Sequence, residues 1–177
     1  SRGLGDVYKR QGAEVAGVTV EGKVAYLSLV QLQAGVTWQK SHYTRPEKWS
    51  KDSSVPAEKR IFRTPDWYGY FTATYSPVKP LNIALSGTYT GSMIVQHMKG
   101  YIPKDMAVTT PDFFDMNLKI SYDFSLYKFI TLQLNAGVQN IFNAYQRDFD
   151  QGKERDSGYI YGPSMPRSYF AGAKLMF

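Results

Sequence analysis

The 177-residue chain contains no cysteine. That removes disulfides, thiolate metal ligands and a thiol nucleophile, and it is compatible with assembly in an oxidising compartment. No apolar run approaches the roughly 20 residues that a membrane-spanning helix needs, so any membrane reading requires strands. No segment carries the 3.6-residue period of an amphipathic helix, so nothing is on hand to cover one face of an open sheet. Nucleophile motifs, phosphate-binding loops and metal-ligand spacings are also missing. Neither an enzyme nor a resident cofactor is expected. No signal peptide opens the chain at Ser1, and Gly3–Gln11 reads like translated adaptor sequence. Residues 1–12 are therefore set aside as a non-native or disordered leader, and the true amino terminus is expected upstream.

What is present is a period of two. Aromatics make up 15% of the chain, with 14 Tyr and 10 Phe, a composition that suits strands and also suits aromatic girdles at a lipid–water boundary. Seven segments alternate. The first runs about Ala13–Tyr26, with Val18, Val20, Val24 and Tyr26 against Thr19, Glu21 and Lys23. The second runs about Val30–Tyr43, with Leu32, Ala34, Val36 and Trp38 against Gln31, Gln33, Thr37 and Gln39. Asp66–Ser76, Leu81–Thr90, Asp112–Ser125 and Ile130–Asn140 follow. The fifth is the clearest: Phe114, Met116, Leu118, Ile120, Tyr122 and Phe124 oppose Asp115, Asn117, Lys119, Ser121 and Asp123. The seventh ends the chain, with Tyr169, Ala171, Ala173, Leu175 and Phe177 on one face.

Alternation alone also describes a soluble sandwich. Length and connections separate the cases. These segments run about ten to fourteen residues, whereas globular strands favour about 5–6 and a tilted membrane strand needs about 9–11. Connections alternate short and long: tight turns at Leu27–Leu29, Pro77–Pro80 and Leu126–Phe129, and long loops at Thr44–Pro65, Gly91–Pro111 and Ile141–Pro163. Short inner turns and long outer loops are the layout of a bacterial outer-membrane barrel. The fold expected is therefore all-β, an antiparallel transmembrane β-barrel. The first and seventh strands run the same way, so closure on themselves would need a parallel pair. An open sheet in hydrocarbon would leave two edges unpaired, at a cost on the order of tens of kcal/mol. Further strands are expected before Ala13.

The carboxy-terminal third resembles the end of a TonB-dependent outer-membrane receptor. The resemblance rests on Gly137-Val-Gln-Asn-Ile-Phe-Asn143, then Gly162-Pro-Ser-Met-Pro-Arg167, then Ser168-Tyr-Phe-Ala-Gly-Ala-Lys-Leu-Met-Phe177. The second of these departs from the commoner compact Pro-Gly-Arg form. The resemblance implies a barrel of about 22 strands with a plugged lumen, of which residues 13–177 would supply the last seven strands. It implies import of siderophore-bound iron, cobalamin, haem or a glycan across a Gram-negative outer membrane. The partners implied are outer-membrane lipid, TonB through missing amino-terminal regions, the plug domain and the barrel-assembly machinery. The assembly signal would be Tyr169, Ala171, Ala173, Leu175 and Phe177.

Candidate site residues follow from facing. Gln31, Gln33, Gln39, Asn117, Lys119, Asp123, Gln133 and Asn135 would face the lumen, either as contacts for plug or solute or as a hydrated wall. On the resemblance, substrate contacts would come from His42, Tyr43, Arg45, Trp49, Tyr101, Arg147, Arg155, Tyr159 and Tyr161; cations and aromatics suit an anionic catecholate or a corrinoid. His97 lies near Met93, Met98 and Met106 but lacks the spacing of a copper site. Asp148, Asp150, Glu154 and Asp156 alternate with Arg147, Lys153 and Arg155 and read as a solvated charged loop rather than a calcium site. The net charge of +6 sits mostly in loops and does not call for nucleic acid. Two other readings remain: a small complete barrel with an adhesin or structural role, and a soluble β-sandwich binding module.

Overall fold

The computed structural model describes residues 12–177; the leader expectation for the first eleven residues lies outside them. Ten strands are found among the described residues: β1 (Ala13–Tyr26), β2 (Val30–Glu47), β3 (Glu58–Arg60), β4 (Trp67–Val78), β5 (Leu81–Thr90), β6 (Ile94–His97), β7 (Met106–Thr109), β8 (Phe113–Tyr127), β9 (Ile130–Gln139) and β10 (Ser168–Met176). There are no helices among the described residues. The long strands form one antiparallel sheet in the order β1-β2-β4-β5-β8-β9-β10, with β3 added to β2. β6 and β7 form a separate hairpin.

All seven expected strands form, and two agree with their expected ends. The loops are more ordered than expected. β2 continues to Glu47 and recruits β3, so Thr44–Pro65 is not one loop. Gly91–Pro111 contains the β6–β7 hairpin. β4 continues through Pro77, which sits at a register shift between Tyr75 and Val78. A bulge leaves one residue outside the ladder, so proline's missing N–H costs nothing there.

The register turns seven separate alternations into two surfaces. Val20 opposes Val36, which opposes Gly69, then Tyr89 and Phe114. Val24 leads in the same way through Leu32, Ala73, Leu85 and Leu118 to Val138 and Tyr169. Every apolar set therefore falls on one face. No described residue covers that face: Val20 is 63% exposed and Leu134 43%. The opposite face carries the polar sets, joined across strands. Thr19 and Thr37 hydroxyls lie 2.9 Å apart, Gln33 donates to Tyr70 at 3.2 Å, and Gln133 donates to Asp123 at 2.8 Å.

Aromatics band the apolar face. At the loop end Trp38 meets Trp67 with ring centroids 6.4 Å apart, and Phe114 stacks between Phe71 and Phe142. At the turn end lie Tyr75, Tyr122 and Phe124. Trp67 and Tyr75 are eight residues apart on β4. Eight steps span about 27 Å of strand, or about 21 Å of height at a tilt of about 40°, close to the ~25 Å apolar band of a membrane barrel.

The Gly137–Asn143 motif has a structural reason. An ideal Cβ on Gly137 would collide with the Leu118 carbonyl oxygen and the Phe170 ring. Asn140 and Asn143 both take left-handed backbone, φ 52° and 56°, which asparagine tolerates better than most residues. Asn140, nearly fully buried, clamps the last loop shut. Its Nδ2 donates to the carbonyls of Ala144 and Met165, both at 3.0 Å, and its Oδ1 accepts from Ala144 N–H at 2.9 Å. Asn143 Oδ1 accepts from Arg167 N–H at 2.9 Å.

Asn140→Ala should cost the intact protein about 2–4 kcal/mol, from orphaned buried groups and a left-handed alanine. Gly22→Ala, at a glycine with open space around it, should stay within about 0.5 kcal/mol. Equilibrium unfolding of the two variants tests the contrast.

Candidate functional site

Two regions hold the candidate residues. The first is the polar wall. Gln31, Gln33, Gln39, Asn117, Lys119, Asp123, Gln133 and Asn135 all share the polar face of the sheet. Several are tied down. Gln39 Nε2 donates to the Pro65 carbonyl at 2.9 Å, and Asn117 Oδ1 accepts from Asn140 N–H at 2.9 Å. Lys119 is exposed on this face, opposite Ala84 and Gly137. Near the loop end a polar cavity of about 390 Å³ opens between Asp115, Asn117, Gln139 and the Pro163–Pro166 stretch.

The second region is the loop cluster, where three connections interlock. Its core is Met93, Val95 and Tyr159, flanked by Val108 and Tyr161. His97 stacks on Tyr159 at 3.7 Å, only 7° from parallel, and its Nε2 lies 2.9 Å from Asp150. Tyr159 and Tyr161 both donate to Asp148, at 2.8 and 2.6 Å. Gln146, only 1% exposed, donates to the Tyr159 carbonyl at 3.1 Å and accepts from Tyr161 N–H at 2.9 Å. Asp156 accepts from Met98 N–H at 2.8 Å, and Asp150 from Asp156 N–H at 2.9 Å. Arg63, with left-handed backbone at φ 59°, bridges from the first loop: its guanidinium donates to the carbonyls of Ile160, at 2.7 Å, and Gly158. Gly100, at φ 150°, lies against the Glu154 carbonyl, where a Cβ has no room.

Arg147, Lys153, Glu154 and Arg155 are exposed, as a solvated charged loop requires, but the three aspartates depart from that expectation. Asp148, Asp150 and Asp156 are acceptors for hydroxyl, imidazole and backbone donors, which is why acidic residues stand there. No group of three or more potential metal ligands occurs among the described residues. Partial burial opposes charge on Asp148, but the Tyr161 and Tyr159 hydroxyls outweigh it and hold its carboxyl below the usual range. Burial, reinforced by Asp148, pushes Tyr159 up to about 12 and raises Tyr161 as well. The Ser50 hydroxyl and Lys99 N–H hold Asp105 low.

The structure distributes the expected substrate contacts unevenly. Tyr159 is 4% exposed and packs the cluster core, and Tyr161 is half-buried beside it. Trp49 packs edge-on against Phe62, its ring N–H buried without a partner. His42 and Tyr43 lie within β2 rather than in a loop; His42 opposes Glu14, 3.4 Å away. Tyr101, Arg147 and Arg155 are exposed, with the Arg147 guanidinium 5.1 Å from the Tyr145 ring centroid. Gln146, Arg63 and Asn140 organise the cluster and had no motif to mark them beyond Asn140's place in the Gly137–Asn143 stretch.

A protein-family model described as "TonB dependent receptor-like, beta-barrel" matches residues 1–141. The ferric-catecholate import receptor Fiu from K12 E. coli has a similar structure, with TM-score 0.64 and 21% identity over 94% of this chain and 21% of that one. FpvAI, in its complex with pyocin S2, has TM-score 0.63 and 14% identity over 94% of this chain and 19% of that one. The chain thus spans about a fifth of the solved receptors it resembles. No curated protein matches its sequence.

The loop cluster should have a pH window. A carboxyl lowered by folding adds stability above its unfolded value of about 3.9, and loses it as pH falls through the folded value. Raised tyrosines add stability that is lost as pH climbs past about 10. Ultraviolet titration of the intact protein should show Tyr159 and Tyr161 ionising late, and Asp148→Asn should bring both closer to about 10.

Proposed function

Because the chain belongs to the TonB-dependent receptor β-barrel family, whose model covers residues 1–141 of 177, we propose that it is the carboxy-terminal part of an outer-membrane transporter importing a scarce solute. The family is one of receptors and transporters rather than enzymes. It resides in Gram-negative outer membranes and works with a plug domain and TonB. On this reading residues 13–177 supply the last seven strands of a larger closed barrel, and plug and TonB-contacting parts lie in regions outside this sequence.

The observation that carries the reading is the sheet itself. One face is apolar between its aromatic bands and left uncovered by the described residues, while the other is polar and cross-linked. A charge such as Lys119 belongs away from lipid, where it would cost about 2–4 kcal/mol at the bilayer midplane. The polar face therefore lines the lumen, with Gln33, Asn117, Lys119 and Asn135 available to plug or solute. The turns at Leu27–Leu29 and Lys79–Pro80 point to the periplasm and the interlocked loops to the outside.

Among solutes, an anionic iron chelate is favoured. Tyr101, Arg147 and Arg155 are exposed in the outer loops and carry the donors and rings that bind such a ligand. A catecholate receptor is also among the similar structures. The alternating residues of β10 and the exposed Phe177 serve as the assembly signal.

The complete gene product, expressed in a host stripped of its own iron receptors, should restore growth on a ferric catecholate only when TonB is present. Equal growth without TonB overturns the reading. Replacing Arg147 and Arg155 together by alanine should weaken chelate binding about tenfold or more, ~1.4 kcal/mol, and removing Phe177 should lower the amount of receptor in outer-membrane fractions.

A further inference from the structure

The apolar face is not smooth. Between its aromatic bands lies a groove of about 580 Å³, floored by Gly22, Ala34 and Gly69 and walled by Leu32, Val36 and Phe71. Small residues create it: a Cβ on Gly22 would have no atom within 4 Å. Beyond Val36, the same face of β2 carries Trp38, packed on Trp67, and then Lys40. Past Lys40 comes His42, which sits opposite Arg60 of β3. Lys40, His42, Lys59 and Arg60 line a second cavity of about 410 Å³ with Ser41 and Asp66. Glu14 lies 3.4 Å from the His42 ring, whereas Lys40 and Arg60 have no ion-pair partner among the described residues.

One strand face thus presents cations, then an aromatic pair, then an apolar groove. Lys40 and Ala34 are six residues apart. That is about 20 Å of strand, or about 15 Å of membrane depth at a tilt of about 40°. The order matches a phosphate headgroup, the interfacial backbone of a lipid and an acyl chain. Unpaired cations at the edge of an aromatic band attract anionic headgroups, and a groove floored by glycine has room for a chain that a full set of side chains would exclude.

We infer that this surface docks one anionic, phosphate-bearing membrane lipid, its phosphate held between Lys40 and Arg60 and an acyl chain lying in the groove. The inference rests on the membrane-embedded reading of the apolar face. A basic balance spread through solvated loops has no need of such an ordered arrangement.

The test uses the complete receptor in phosphatidylcholine nanodiscs containing a minor fraction of brominated phosphatidylglycerol or brominated phosphatidylcholine. Quenching of Trp38 fluorescence is read as the difference from Trp38→Phe, and circular dichroism confirms that each variant is folded. Brominated phosphatidylglycerol should quench about twofold more than brominated phosphatidylcholine. The preference should vanish in the Lys40→Ala/Arg60→Ala double variant, and Gly22→Leu, which fills the groove, should reduce quenching by both lipids. Equal quenching by both lipids, unchanged by the substitutions, would leave only bulk solvation and overturn the site. A particle containing two receptors with Trp38 shielded from both lipids would assign the surface to a second copy and also overturn it. A folded receptor that stays soluble and outside the discs would overturn the membrane reading together with the inference.

Discussion

Everything in this structure depends on backbone pairing in register. Each long strand alternates, but alternation by itself leaves the choice of face open on every strand. A slip of one residue at any one pairing would turn that strand's apolar set to the polar side. The observed ladders contain no such slip along the body of the seven strands, even where irregularities occur at Ser76–Pro77 and Leu126. These irregularities fall next to the short turns, where a bulge ends pairing without transmitting a shift along the strand. The result is a sheet with one hydrocarbon-compatible face, which the polar hydrogen-bonded face complements.

That sheet explains why the loops can be so elaborate. A ladder of paired strands fixes six ends at set separations, so the three long connections start from rigid posts. They then meet one another rather than solvent alone. The cluster around Met93, Val95 and Tyr159 is small, and it holds through directed polar contacts: Gln146 closing its own loop, His97 on Asp150, Arg63 reaching across from the first loop. Buried polar groups are costly unless satisfied. Here Gln146 and Asp148 are satisfied within their own loop, while His97 on Asp150, the Met98 N–H on Asp156 and Arg63 on the Ile160 and Gly158 carbonyls reach between loops and couple the three. The loops therefore present one shaped surface, carrying Tyr101, Arg147 and Arg155, rather than three independent tails.

Strand positions were legible because the period-two signal is local. Ala13–Tyr26 and Leu81–Thr90 needed nothing beyond their own residues. The polar wall was also legible, since Lys119 and Asp123 alternate with six apolar neighbours on the strand from Phe113 to Tyr127. The loop cluster was not. Asp148, Asp150 and Asp156 sit among basic residues in sequence, and nothing nearby marks them as acceptors. Their donors, at Met98, His97, Tyr159 and Tyr161, include groups more than fifty residues away. Tyr159 looked like a free aromatic for the same reason: the His97 ring that stacks on it comes from a different connection.

The sequence by itself determined the strands, their two faces and the rhythm of short and long connections. Each of these depends on side-chain order along one strand and on the φ/ψ demands of proline, glycine and asparagine. Tertiary structure alone decided which loop residues are buried, which carboxylates are already occupied, and that Arg60, Gly22 and Gly69 line up with Lys40, Trp38 and Ala34 on one face. Those outcomes depend on register between strands and on contacts between separate loops. Such relations exist only once the backbone ladders have set the distances.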